Sequence, residues 1–152
     1  MPQQTNMTPS LHGRRFGLDP SNNPIGAGQP YTVTMTAAAG TTNVTEVTMT
    51  VVDWEGNTCA APWVMNIWLS DATTGAGLTA TTASGAVAAK ASSGADFGTL
   101  TSKKALMVQT LATGVYILSI TDTAKTAFKV CASVPGSERT VVGITLATAN
   151  YG

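Results

Sequence analysis

The chain has 152 residues, eight basic and eight acidic, and only 11% of it is charged. That length suggests one domain, or a domain with an arm; no basic excess is available to hold a phosphate backbone, which argues against nucleic-acid binding. No apolar run approaches the roughly 18–20 residues that cross a bilayer, while a 43% hydrophobic share is enough for a core.

Threonine (26) and alanine (22) make up nearly a third of the chain. So few charges leave little to keep copies apart, and such a surface suits a protein packed against neighbours.

Residues 1–30 hold five of the seven prolines, with four glycines between them. Proline fixes φ and lacks a donor, so an extended arm is expected rather than helix or sheet. The opening MPQQTNMTPS has no apolar stretch of the kind a secretory signal carries. The arm's apolar beads are spaced out and accompanied by one basic pair. Leu11, Arg14, Arg15, Phe16, Leu18 and Ile25 are the candidate contacts with a neighbouring subunit.

From Tyr31 onward the pattern has period two. Tyr31, Val33 and Met35 alternate with threonines, as do Val47, Met49 and Val51. Trp63, Met65, Ile67 and Leu69 share one parity; so do Tyr116, Leu118 and Ile120; so do Phe128, Val130, Ala132 and Val134; and so do Val142, Ile144 and Leu146. Successive strand side chains point to opposite faces, so each run buries one side and wets the other. Turn-forming segments such as Asp53–Asn57 and Pro135–Glu138 separate the runs. Short strands punctuated in this way predict an antiparallel β-sandwich or barrel.

Residues 72–99 break the pattern, being almost entirely Ala, Thr, Ser and Gly. Side chains so small bury little area, and the expectation is a long irregular loop or a small-residue hairpin without a compact core of its own.

No chemistry stands out. Cys59 and Cys131 have neither CxxC spacing nor partner histidines, which argues against zinc and fits two buried thiols, a disulfide needing the fold to bring them together. The single histidine, His12, lies in the arm, where a general base would not be held. There is no G-x-S-x-G elbow, no Walker A run and no singled-out carboxylate pair, so no enzyme, metal or cofactor is expected. Asp53, Glu55 and Asn57 faintly suggest a calcium loop, but no bidentate carboxylate follows at the required distance. Trp63 and Trp68 have opposite parity, so one is core and the other faces outward and needs cover from a partner or from the long loop. Trp68 is the outward candidate.

The segment Val47–Ser70, VTMTVVDWEGNTCAAPWVMNIWLS, places D-x-x-G-N between two strands, the second carrying W-L-S. It resembles immunoglobulin-like repeats of the bacterial invasin type, and it looks like a group of small tailed-phage proteins. Leu69-Ser70-Asp71, Ala95-Asp96-Phe97-Gly98 and the run from Gly114 to Asp122 extend the second likeness over residues 31–152. Invasin-type repeats occur in tandem with a signal and an anchor, and the single unit here fits a free virion subunit better.

The resemblance implies an immunoglobulin-like sandwich of about seven strands and a structural place in a phage virion, foremost as a capsid decoration or cement protein on the outer shell. The partners implied are the major capsid protein and copies of the chain itself in a symmetric oligomer, a trimer foremost. Two alternatives are a tail or neck component and a host-surface adhesin whose 72–99 loop touches glycan.

Overall fold

The computed structural model describes residues 28–137 and 142–152. Nine strands follow in chain order: β1 (Thr32–Ala39), β2 (Val44–Val52), β3 (Val64–Ser70), β4 (Val87–Ala89), β5 (Ala95–Thr101), β6 (Ala105–Gln109), β7 (Val115–Thr121), β8 (Lys129–Ser133) and β9 (Val142–Thr145). A 3-10 turn at Thr148–Asn150 comes after β9. The strands form two antiparallel sheets, in the orders β1-β2-β7-β4 and β5-β6-β3-β8-β9. The expected all-β sandwich is therefore present, with nine strands rather than about seven.

The alternation explains why. In β2, Val47, Met49 and Val51 point inward and are fully buried, while Glu46, Thr48 and Thr50 stay half-exposed. Met65, Ile67 and Leu69 of β3, Leu106 and Val108 of β6, Tyr116, Leu118 and Ile120 of β7, and Val130 and Ala132 of β8 complete the layer between the sheets. Burying each large side chain of this kind is worth about 1.5–3 kcal/mol relative to leaving it in water. On the wet face of the four-stranded sheet Thr34 faces Thr50 and Thr36 faces Thr48, where the β-branch fits the pleat.

Both sheets have the neighbour order of an immunoglobulin variable-type sandwich. β1, β2, β7 and β4 stand where strands A, B, E and D do, and β5, β6, β3, β8 and β9 where C″, C′, C, F and G do. The connection differs: β4 precedes β5 and β6 in the chain, so the D-like strand is laid down before the pair it normally follows.

The extra strand β4 and the first five residues of β5 come from residues 72–99, where a loop or hairpin without a core was expected. Their side chains are small, yet Ala83 and Val87 join the core and Thr79 is buried. Polar side chains from elsewhere supply what apolar area does not. Lys104 Nζ donates to the carbonyls of Thr79 (2.8 Å) and Ala80 (3.0 Å), and Lys103 Nζ donates to those of Ala83 (3.3 Å) and Ser84 (3.1 Å). Asp71 accepts from Thr79 Oγ1 and the Ala80 N–H, and Asp122 accepts from the Ser84 N–H.

The D-x-x-G-N segment is the turn its residues suggest. Asp53 is buried and accepts the N–H groups of Glu55 and Asn57, and Gly56 has φ +88°. Asp53 also receives the Gly28 N–H at 3.2 Å, which fixes the entry to β1. Cys59 and Cys131 are both free and buried. Cys59 belongs to the core cluster, whereas Cys131 alternates with the core residues Val130 and Ala132 and so lies on the outer face of its sheet.

Candidate functional site

The five-stranded sheet ends on β5, and its register against β6 shifts twice, between Asp96 and Gly98 and between Thr99 and Thr101. Each shift leaves one residue without a partner across the ladder, and those residues are Phe97 and Leu100. A bulge of this kind bends the strand and re-aims a side chain. Phe97 is 52% exposed and Leu100 59%, more than any other large apolar side chain among the described residues. Asp96 holds the first bulge in place. It accepts a 2.6 Å bond from Tyr116 Oη and the N–H of Ala89, so it stays turned toward the sandwich while its neighbour is displaced.

Next to β5 lies a groove of about 420 Å³ on the outer face of the same sheet, lined by Asn66, Trp68, Leu78, Leu100, Ala105 and Ser133 among others. Trp68 forms the floor. Its register neighbours are the small residues Ala105 on β6 and Cys131 on β8, which leave room for an indole between them. Its Nε1–H donates to the Gly75 carbonyl at 2.8 Å, so the loop after β3 fixes the ring's orientation. Ser70 Oγ donates to the Ala76 carbonyl at 3.2 Å and accepts the Ala72 N–H at 3.1 Å, which sets the path of that loop. Asn66 and Ser133 are direct partners across the β3–β8 ladder. Neither side chain has a hydrogen-bond partner among the described residues.

The outward direction read for Trp68 from its parity is the one observed, and the loop supplies part of its cover. Trp63 takes the inward parity and packs against the core, its Nε1–H donating to the Cys59 carbonyl at 2.9 Å. Leu11, Arg14, Arg15, Phe16, Leu18 and Ile25 lie outside the described residues. Phe97 and Leu100 escaped the sequence reading. The signal available was two large apolar residues, three apart, in a stretch otherwise made of Ala, Gly, Thr and Asp.

The carboxylates serve the backbone. Burial pushes the Asp53 carboxyl up, but the N–H groups of Gly28, Asn57 and Glu55 outweigh it and hold the group below its ordinary range. Asp122 follows the same balance, its donors coming from Thr126 and Ser84. Asp71 is lowered chiefly by the Ala80 N–H, then by the Thr79 hydroxyl. Burial raises both thiols. Among the described residues no cluster of three or more His, Cys, Asp or Glu side chains is arranged to hold a metal ion. The one ion pair among them joins Lys90 to Glu46 at 2.7 Å. No protein-family model matches the chain, and no curated protein is found to match it.

Proposed function

We propose that this chain is a structural subunit of a tailed-phage virion that decorates the outer surface of the capsid and cements it. The observation that carries the reading is the β5 edge, where two bulges hold Phe97 and Leu100 out of the sandwich. A bulged edge resists open-ended strand pairing, so these side chains present a defined contact instead of an aggregation template. Apolar anchors of this sort, surrounded by residues poor in charge, suit the centre of a protein–protein interface. The Asp96–Tyr116 bond and the lysine-pinned loop stiffen the surface before contact, which lowers the entropy lost on docking. Each copy then adds a modest burial, and many copies on one shell add up to a particle that is hard to open.

Binding to purified heads that lack the protein tests this. Cosedimentation of wild type is compared with a Phe97→Asp/Leu100→Asp double variant, whose fold is checked by circular dichroism. Occupancy of the shell is expected to fall by roughly tenfold or more, as for loss of a hot spot. A folded double variant that decorates heads as well as wild type overturns the reading.

A further inference from the structure

The Trp68 groove joins an apolar floor to two polar side chains that have no hydrogen-bond partner among the described residues, and the chain carries a segment that matches both. We propose that the groove receives residues 18–25 of a second copy, the run Leu18-Asp19-Pro20-Ser21-Asn22-Asn23-Pro24-Ile25.

The match begins with hydrogen-bond inventory. Proline has no N–H, so a segment with prolines at 20 and 24 is short of donors and rich in carbonyl acceptors. The groove offers the complement. The Asn66 amide and the Ser133 hydroxyl stand side by side across the β3–β8 ladder, with no hydrogen-bond partner among the described residues. Trp68 and Leu78 give the flat apolar surface on which a pyrrolidine ring packs, the mode by which aromatic-lined grooves take proline-bearing chains. Fixed φ values make such a segment cheap to order. Leu18 and Ile25 bracket it with apolar ends.

Reach selects the second copy. Gly28 is held on Asp53 at the start of β1, a strand of the four-stranded sheet. From Gly28 an extended chain brings Pro24 at most about 14 Å. The groove lies on the far face of the other sheet, about 10 Å away across the core, and β3 sits two strand spacings, about 10 Å, inward from the β9 edge. Pro24 and Ile25 therefore fall short of their own groove, while a neighbour's segment meets no such limit. The arrangement is head-to-tail: one copy's arm in the next copy's sheet, which closes into a ring when the rotation permits.

The test uses the full chain without heads, so that its outcome is separate from shell binding. Self-association is followed by analytical ultracentrifugation for wild type, for Asn66→Ala/Ser133→Ala, and for Pro20→Ala/Pro24→Ala. Each double variant is expected to weaken association by roughly tenfold or more. A mixture of the two is expected to form hetero-complexes, because one keeps an intact segment and the other an intact groove. Wild type that stays monomeric at millimolar concentration overturns the proposal. So does wild-type association in the folded Asn66→Ala/Ser133→Ala variant. A Trp68 fluorescence change on deleting residues 1–27 that is independent of concentration would place the segment in its own groove and also overturn it.

Discussion

Tyr116 Oη donates a 2.6 Å hydrogen bond to Asp96 Oδ1, and through it β7 of one sheet is tied to β5 of the other. The two ends differ in setting: Tyr116 is fully buried, whereas Asp96 is exposed. Removing the hydroxyl with Tyr116→Phe leaves Asp96 its Ala89 N–H and water, so the expected loss is about 1 kcal/mol. Asp96→Ala strands a buried phenol and is expected to lose more, about 1–3 kcal/mol. Urea unfolding of the two variants reads the order. Equal losses, or a larger one for Tyr116→Phe, would show that the bond does not organise this edge.

Gly94 sits directly under the same ring. Its φ is +129°, and a Cβ there would strike the Tyr116 ring and come 2.7 Å from the Gln109 carbonyl oxygen. Strain and overpacking each cost about 1–3 kcal/mol. Gly94→Ala is thus expected to lower stability by roughly 2–6 kcal/mol, measured as a shift of the denaturation midpoint, and to increase hydrogen exchange along β5.

Thr110 joins segments distant in sequence. Its Oγ1 accepts the Trp63 N–H at 2.8 Å and donates to the Ala61 carbonyl at 3.1 Å, and the residue is buried. Thr110→Val keeps the shape and leaves one backbone donor and one acceptor unpaired, an expected loss of about 2–4 kcal/mol. Thr110→Ser keeps the hydroxyl and is expected to recover most of it. Indifference to both changes would remove the bond from the account of how β3 begins.

The titrating groups set stability at both ends of the pH scale. Asp53, Asp71 and Asp122 are held below the ordinary 3.8 in the fold. Their contribution is complete above that unfolded value and is lost as pH falls through the lower folded ones. Burial raises Tyr116 and Tyr151 above the ordinary 10.0. That contribution is complete below the unfolded value and is lost as pH climbs toward the raised ones. Burial likewise raises the Cys59 and Cys131 thiols above the ordinary 9.0, so the urea midpoint is expected to be level between about pH 5 and pH 8 and to fall outside that range. Asp122→Asn is expected to flatten the acid limb; an unchanged acid limb would contradict the role given to its bonds from Ser84 and Thr126.

The runs with period two were legible because one face of each had to be apolar. Val47, Met49 and Val51, or Tyr116, Leu118 and Ile120, leave little choice of which way a strand turns. The same parity separated Trp63 from Trp68. β4 and β5 were not legible for two physical reasons. β4 has only three residues, of which Val87 alone is large. In β5 the bulges interrupt alternation just where Phe97 and Leu100 stand. What secures residues 72–86 is equally invisible in a local reading, since Lys103, Lys104 and Asp122 reach them from later in the chain. The polar pair Asn66 and Ser133 becomes a site only when β3 and β8 are laid side by side.

Cryo-electron microscopy of intact particles tests the central claim most directly. The expected result is density for this sandwich on the outer capsid surface, with the β5 edge turned toward the shell and Phe97 and Leu100 buried at the contact. A particle without the chain, or one in which that edge faces solvent, would contradict it.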